Sequence, residues 1–344
     1  MSQAQAARGA VLIVTRRVDD HFDLVEPELA ARGVSPLRLD TDRYAEDRSL
    51  ARLRTAGGQA SAVLRAGGVE IDGDDVGAVL FRHFHVPTAP GVAPGAAREL
   101  AESELRAALE GALLSIDAHW VNHPSANRLA RLKLVQLARA TEVGMTVPDT
   151  CVTADPEEIR ARFADWDGRM IAKLAGGQVV AATVEEQHVI YTTRLAEEDL
   201  RDDGALAACP AIYQRLVEKA YELRVTVVGE RTFACRIDSQ SEPDAEIDWR
   251  RAGASRVGLS AHELEPRTAR RCVELTRRMG LAFSGIDLIV TPSGDPVFLE
   301  LNAAGAWAWA QRATGLPIAA AIADELVAGA ARPRHDRRDA MSAA

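Results

Sequence analysis

The chain has 344 residues, enough for about two domains, and its 47% hydrophobic and 26% charged residues are ordinary for a globular protein. Asp and Glu number 50 against 41 Lys and Arg, and the resulting net charge of −9 argues against nucleic-acid binding through a basic surface. No apolar run reaches the roughly 20 residues of a membrane helix, the N-terminus lacks a secretory signal pattern, and the 4 cysteines form no CxxC pair. We therefore expect a cytoplasmic protein that binds neither nucleic acid nor membrane.

The N-terminal third alternates strand and helix patterns. A buried strand is predicted at Ala10–Val14, a helix at Val25–Arg32 and a second strand at Ser35–Leu39, which is the order of a parallel βαβ unit. No GxGxxG motif follows the first strand, so the dinucleotide fingerprint is missing. Further predicted elements are strands Ala60–Leu64, Val69–Ile71 and Ala78–Phe81 and the amphipathic helix Ala96–Leu114.

The rest of the chain shows the same mixture of helices and strands. The predicted helices are Arg128–Thr141, Pro156–Phe163, Pro266–Met279 and Leu316–Leu326. The predicted strands are Met170–Leu174, Val189–Thr193, Ala211–Val217, Arg224–Val228, Thr232–Ile237, Phe283–Val290 and Pro296–Leu301. The arginine-rich segment Ala331–Ala344 has no apolar periodicity, so we expect a disordered tail.

The last two strands carry three oxygen-bearing side chains. Asp287 lies in the first strand, and Glu300 and Asn302 are two residues apart on the second, so the latter two share a face. If the strands pair across the turn at Pro292–Gly294, all three can converge. Carboxylate and amide oxygens without His or Cys suit Mg²⁺, although a hairpin with an alternating polar face remains the plain alternative.

Two lysines and one link between strands have the chemistry of a nucleotide site. Lys133 lies on a predicted helix, and Lys173 ends a predicted strand before Gly176-Gly177, where a point charge could meet phosphate. The link Gln214–Glu222 joins two strands and could hydrogen-bond a flat base through its backbone. Taken singly, each lysine is more simply interpreted as a surface residue, and the link as a solvated charged loop.

Taken in order, these residues resemble those of the ATP-grasp ligases. The set comprises Lys133, Lys173, Gln214–Glu222, Arg224, Asp287 within Gly-Ile-Asp-Leu, and Glu300-Leu301-Asn302. A narrower resemblance, to the graspetide synthetases (microviridin-type ribosomal peptide maturases), rests on Tyr213-Gln214, Glu222-Leu223-Arg224-Val225, Asp248-Trp249-Arg250, and Trp307 with Trp309. Phe81-Arg82-His83 departs from the Arg-Arg pair expected there, so no leader or substrate role is carried over to that loop.

The resemblance implies an α/β fold, with α+β lobes, of the ATP-grasp type. The implied parts are an N-terminal pre-ATP-grasp domain (residues 1–120), a central lid domain (121–211), a C-terminal nucleotide- and metal-binding domain (212–330) and the tail (331–344).

It also implies residue roles. Lys133 and Lys173 would contact the ATP phosphates, Gln214 with the backbone of Leu216 and Val217 would hold adenine, and Glu218 or Glu222 would reach ribose. Arg224 and Arg236 would serve catalysis at the triphosphate or acyl phosphate, and Asp287, Glu300 and Asn302 would bind two Mg²⁺ ions.

The implied activity is ATP-dependent carboxylate activation on a precursor peptide. An Asp or Glu side chain would become an acyl phosphate, and a Thr, Ser or Lys side chain of the same peptide would close an ω-ester or ω-amide macrocycle. The partner would carry a leader and an acidic core that contains Thr or Ser, with Asp248, Trp249, Arg250 and Trp307 as candidate contacts. Trp307 fits core packing equally well. A homodimer is left open.

Two other functions remain as alternatives. One is an ATP-grasp ligase that joins an amino acid to a peptide or protein terminus, as glutamate ligases do. The other is a non-catalytic nucleotide-binding scaffold, against which the intact set Asp287, Glu300 and Asn302 argues.

Overall fold

The computed structural model describes residues 9–46, 50–56, 59–66, 69–176, 179–181 and 187–332. The first part of the chain forms β1 (Ala10–Thr15), α1 (Phe22–Ala31), β2 (Leu37–Asp40), β3 (Leu50–Ala56), β4 (Gln59–Ala66), β5 (Val69–Asp72), β6 (Val76–Phe81), α2 (Ala96–Leu114) and β7 (His119–Val121). The middle forms α3 (Pro124–Leu129), α4 (Lys133–Glu142), β8 (Thr150–Thr153), α5 (Pro156–Asp165), β9 (Met170–Lys173), β10 (Val179–Ala181), β11 (Gln187–Val189), β12 (Thr193–Arg194), α6 (Asp203–Ala207) and β13 (Ala211–Arg215). The last part forms β14 (Tyr221–Val228), β15 (Arg231–Ile237), β16 (Leu259–His262), α7 (Pro266–Arg278), β17 (Phe283–Val290), β18 (Pro296–Asn302), α8 (Ala308–Thr314) and α9 (Ile318–Ala331).

A parallel sheet in the order β2-β1-β6-β7 forms the centre of the N-terminal part, as the βαβ pattern predicts. Alternate side chains of β1 pack into two different hydrophobic cores. Val11 and Ile13 pack with α1 and α9, whereas Leu12 and Val14 pack with α2 and the antiparallel sheet β3-β4-β5. Both faces of the sheet are therefore covered, which explains why β1 is a short run of apolar residues without alternation.

The predicted helix Arg128–Thr141 is wrong, because two helices stand in its place. The chain leaves the helical conformation between α3 and α4, and Leu132 is extended with φ −81° and ψ 101°. The amide nitrogen of Gln136 donates to the Ala130 carbonyl at this break and to the Leu301 carbonyl at 2.8 Å. Its oxygen accepts from the Leu301 N–H at 2.9 Å, so β18 stabilises the break. Lys133 consequently begins α4 rather than lying inside a helix.

A four-stranded antiparallel sheet in the order β12-β9-β13-β8 forms the middle of the chain. The predicted strand Val189–Thr193 is also wrong, because β11 ends at Val189 and β12 begins at Thr193. β13 pairs with both β8 and β9, so the predicted boundary at residue 211/212 falls within a strand of this sheet. All of the proposed domain boundaries stay predictions.

The third large sheet runs β16-β15-β14-β17-β18 and is antiparallel throughout. The predicted hairpins β14–β15 and β17–β18 are both confirmed. One face packs on α4 and α7 through Leu223, Val225 and Ile286. The other face carries polar side chains, and the functional residues lie there.

The C-terminal helix α9 runs from Ile318 to Ala331, further than its prediction, and packs against α1 and β6. The predicted tail lies outside the described residues from residue 333 onward. Among the described helices, none combines the length and apolar character needed to cross a bilayer.

Asn122 joins the N-terminal part to the third sheet. Its amide nitrogen donates to the carbonyls of Phe283 and Ala303, each at 2.8 Å, and its oxygen accepts from the N–H groups of Ala282 and Phe283 at 2.8 and 2.9 Å. The side chain is 1% exposed. One buried amide thus satisfies four backbone groups on two segments.

Substituting Asn122→Ala leaves those four groups without their partner, so we expect the free energy of unfolding to fall by about 3 kcal/mol in urea denaturation. Ser125→Ala, three residues further on and exposed, is the control and should change it by less than about 0.5 kcal/mol. Equal unfolding curves for the two variants would contradict this assignment of Asn122.

Candidate functional site

The hairpin β17–β18 brings the three predicted metal ligands together. Asp287 lies directly opposite Glu300, and Asn302 lies opposite Gly285, so all three side chains project from one face. This arrangement depends on a β-bulge: Leu288 pairs with Phe298, and Leu299 is therefore the additional residue on β18. Without the extra residue, Asp287 would face Leu299, and Glu300 would point to the opposite face.

Charges of both signs surround the two carboxylates. The Arg224 Nε atom lies 2.8 Å from Asp287 Oδ1, and Lys133 forms an ion pair with Glu300. The Asn302 amide donates to Asp287 at 3.2 Å and to Glu300 at 3.0 Å. Burial raises the pKa of Asp287 to about 7 against the opposing effect of Arg224. Burial would also raise the pKa of Glu300, but Lys133 outweighs it and holds that pKa below its usual range.

Two glycines make the room that Arg224 needs. A Cβ at Gly285 would lie 2.9 Å from Arg224 Nη1, and one at Gly305 would lie 3.1 Å from the same atom. The guanidinium therefore passes between two backbone segments to reach Asp287.

Lys173 ends β9 and points toward the same cluster. Burial lowers the pKa of its ammonium group to about 8, and the nearby Glu300 partly opposes that effect. Within the described part of the chain, no acceptor lies at hydrogen-bond distance from its Nζ atom. A half-buried cation with free donors is well placed to bind an anionic group. Gly177, predicted to follow it in a flexible loop, lies outside the described residues.

The predicted link between β13 and β14 lines a cavity of about 480 Å³. Gln214, Leu216, Val217 and Glu218 contribute to its wall together with Lys173. The Leu216 N–H donates to the Arg169 carbonyl at 2.7 Å, so this amide is already used. The Gln214 Nε2 atom donates to Thr150 at 2.8 Å, whereas its buried Oε1 atom has no partner. A flat base with an exposed amino group would supply the missing donor.

The two glutamates that the sequence left as alternatives occupy different places. Glu218 lines the cavity beside Gln214. Glu222 is 8% exposed and accepts from Lys219 at 2.6 Å, on the side of Lys133 and Asp287.

Arg236 does not join the cluster, which corrects its predicted catalytic role. It lies opposite Leu223 in β14, and its side chain therefore projects from the face that α7 covers. Its guanidinium lies 3.9 Å from the centre of the Tyr221 ring and contacts Asp238. The two-residue turn at Gly229-Glu230 fixes this register, so the sequence already contained the signal that separates Arg236 from Arg224.

Trp307 is also corrected as a peptide-contact candidate. Its side chain is 1% exposed and belongs to the core between α1 and α9, which supports the alternative of core packing. Asp248 and Arg250, by contrast, lie at the site. Asp248 holds Arg250 through contacts of 2.7 and 2.6 Å and accepts from the Thr192 N–H. Trp249 packs on Trp309, with ring centres 5.2 Å apart.

A larger cavity of about 630 Å³ opens on the other side of the cluster. Glu300, Asn302, Arg224 and Arg250 line its inner end. Its outer wall contains features that the sequence did not single out, namely Asn127, Arg131, Gln136 and the small-residue loop Ala303, Ala304, Gly305 and Ala306. The loop follows Asn302 directly, so its closeness to a ligand-type residue was the available signal.

Comparisons with known proteins identify the family and the fold. Residues 10–128 match the family described as the MvdD pre-ATP grasp domain. A probable alpha-L-glutamate ligase from Marinomonas sp. (strain MWYL1) is 24% identical over 209 residues, which cover 59% of this chain and 65% of the relative. The chain thus spans a little less than two thirds of that curated relative.

Solved structures are similar over nearly the whole chain. A Chryseobacterium gregarium RiPP-associated ATP-grasp ligase in complex with ADP, and a leader and core peptide, gives a TM-score of 0.85 at 29% identity and covers 94% of this chain and 98% of that one. The macrocyclase MdnC of Microcystis aeruginosa MRC, bound with the precursor peptide MdnA, gives 0.81 at 28% identity over 93% and 99%. The macrocyclase MdnB of the same organism gives 0.76 at 31% identity over 92% and 98%.

The fold and the carboxylate–lysine–arginine cluster therefore define an ATP-grasp ligase. The chain belongs to the graspetide-type ATP-grasp ligases, since the macrocyclase MdnB is 31% identical to it and is covered over 98% of its length.

The unpaired Gln214 Oε1 atom generates a test of base recognition. Adenine carries an exocyclic amino group, whereas the hypoxanthine of inosine diphosphate lacks that donor, so we expect about tenfold tighter binding of ADP in calorimetry. Gln214→Leu should remove most of this preference, while Gln240→Leu, exposed at the rim of the same cavity, should retain it. A Gln214→Leu protein with an unchanged preference for ADP would show that the amide does not read the base.

Proposed function

We propose that the protein is an ATP-dependent ligase that activates Asp or Glu side chains of a ribosomal precursor peptide and closes ω-ester or ω-amide macrocycles. One observation carries the proposal. The half-buried residues Glu300 and Asn302 line the larger cavity, which would take a peptide, and a small pocket lined by Asp287 and Glu300 shares Lys173 with the smaller cavity, which would take a nucleotide. The similarity to peptide-bound ATP-grasp ligases supports the same reading.

We assign the smaller cavity to ATP. Gln214 Oε1 would accept from the adenine amino group, and the Val217 N–H, which has no hydrogen bond within the described residues, would donate to the ring. Glu218 stands nearer this end than Glu222, which favours it for the ribose hydroxyls. Lys173 lines the inner end, where its ammonium group would contact phosphate.

The donor set fits Mg²⁺. Asp287, Glu300 and the Asn302 amide offer only hard oxygen ligands, and a Mg²⁺ ion there would neutralise phosphate charge. Burial is the main cause of the raised pKa of Asp287, and a bound cation would lower that pKa again. We expect these three residues to bind Mg²⁺. The family resemblance implies two ions.

The chain's own cations would stabilise the reaction. A carboxylate oxygen of the peptide attacks the γ-phosphorus of ATP, the bond to the bridging oxygen breaks, and ADP leaves with an acyl phosphate remaining. A hydroxyl or amine then attacks the acyl carbon, loses its proton and expels phosphate. Arg224 and Lys173 lie where charge accumulates, so they would stabilise both steps by electrostatics rather than by covalent catalysis.

Arg250 would orient the peptide carboxylate. It lines the inner end of the larger cavity, and the Asp248 carboxylate holds its guanidinium in place. Arg251 and Arg256 do not line this cavity, since Arg251 contacts Thr193 and Arg256 pairs with Glu242 and Asp244. Of Arg250, Arg251 and Arg256, only Arg250 is therefore assigned to the substrate.

A glutamate-ligase-like activity is the second candidate, favoured by the 24% identical curated relative. The two activities change the peptide mass in opposite directions. Macrocyclisation removes one water per bond, whereas ligation adds the mass of an amino acid residue.

If a short acidic peptide is encoded beside the gene, we expect it to lose one water mass per bond in mass spectrometry after incubation with the protein, ATP and Mg²⁺. Glu300→Gln removes a charged metal ligand and should reduce this conversion at least about 100-fold. Glu274→Gln, on the outer surface of α7, is the matched control and should convert the peptide normally. A mass gain would support the second candidate, and full conversion by Glu300→Gln would refute the metal assignment.

A further inference from the structure

A buried network at the end of β1 contacts the loop Ala303–Ala306. This loop lines the cavity of about 630 Å³ that we assign to the peptide, called the peptide cavity below. The His21 Nε2 atom accepts from the backbone N–H of Trp307 at 3.2 Å, and the His21 ring lies edge-on to the indole with centres 5.0 Å apart. Trp307 ends the loop Ala303–Ala306 and precedes α8. The N-terminal part of the chain thus reaches the far end of this loop.

The hydrogen bond selects the tautomer of the His21 ring. Because an N–H must meet a lone pair, Nε2 is the acceptor and the ring proton lies on Nδ1. Nδ1 faces Asp19 at 3.2 Å and Asp20 at 2.9 Å. The carboxylates therefore hold His21 in the tautomer that can accept from Trp307.

Asp19 is itself held in place. It is 3% exposed, accepts from the Thr15 hydroxyl at 2.6 Å and lies 3.8 Å from Arg82. Burial would raise the pKa of Asp19, but the contacts with His21, Thr15 and Arg82 outweigh it and keep the pKa well below the usual range. A second contact, between Asp20 and Arg312 at 2.8 Å, joins the same turn to α8.

The loop has one other anchor of this kind at its beginning, where Asn122 donates to the Ala303 carbonyl. Between the two anchors, Gly305 lies against Arg224, and a Cβ there would come within 3.1 Å of the guanidinium. A displaced loop would change the shape of the 630 Å³ cavity, whereas the 480 Å³ nucleotide cavity has no wall residue from it.

We propose that His21, fixed by Asp19, is a positioning residue that holds the loop 303–307 as a wall of the peptide cavity. The consequence for substrate binding rests on the function proposed above, but the consequence for the loop does not. Loss of the acceptor should therefore weaken peptide binding and spare the nucleotide.

Four variants separate this role from simple packing. His21→Leu fills the space without an acceptor, and His21→Asn reaches Asp19 but is too short for Trp307. His21→Gln carries an oxygen close to the position of Nε2. His262→Gln is the control, because His262 packs on Tyr221, on the face of the third sheet that α7 covers.

Hydrogen exchange of the amides of residues 303–307 is the first measurement. We expect exchange about tenfold faster in His21→Leu and His21→Asn, and within about twofold of wild type in His21→Gln and His262→Gln. Since this readout needs no substrate, it decides the positioning role even if the wild-type protein does not convert the peptide, and His21→Asn decides it if His21→Leu fails to fold.

Steady-state ADP release with a precursor peptide that the wild-type protein converts is the second measurement. The KM for the peptide should rise about tenfold in His21→Asn, and the KM for ATP should change less than twofold. An equal loss in His21→Gln and His21→Asn, or unchanged loop exchange in both, would overturn the proposal. Failure of the wild-type protein to turn over would instead count against the proposed function.

Discussion

The site depends on two half-buried carboxylates that are held side by side on one face of a sheet. The extra residue Leu299 shifts the pairing of β17 and β18, so Asp287 and Glu300 share a face on which burial disfavours their charge. Such a pair requires neighbouring cations. Arg224 comes from β14, Lys133 from the start of α4, and Lys173 from β9 of another sheet. The balance of charge therefore ties together the three segments that a nucleotide would contact.

The need for cations beside the two carboxylates changes how the net negative charge of the chain is interpreted. A net charge of −9 would repel ATP and an acidic peptide at long range. The structure places Lys133, Lys173, Arg224 and Arg250 around the two cavities, while other arginines, such as Arg256, pair with acidic residues at the surface. Cations inside a cleft of low dielectric act more strongly than the same charges in water. The overall charge therefore says little about the ligand.

Much of the fold and part of the site were readable from the sequence, because those features are local. Alternation and short turns predict both hairpins, and the apolar run of β1 predicts a strand covered on both faces. The break before Lys133 was not readable, because Gln136 stabilises it through Leu301, far along the chain. The exclusion of Arg236 was readable from the register of its turn but was missed. The contact of His21 with Trp307 joins opposite ends of the sequence, and no local pattern predicts it.

The assignment of both cavities requires one chemical event: transfer of an oxygen atom from the peptide carboxylate to phosphate. The most direct measurement labels the acidic side chains of the peptide with oxygen-18 and analyses the phosphate that is released during ring closure. An acyl phosphate intermediate predicts one labelled oxygen in phosphate for each bond formed, because the carboxylate oxygen that attacks phosphorus leaves with it. Ring closure that releases unlabelled phosphate would contradict the proposed activation, whatever the ring pattern of the product.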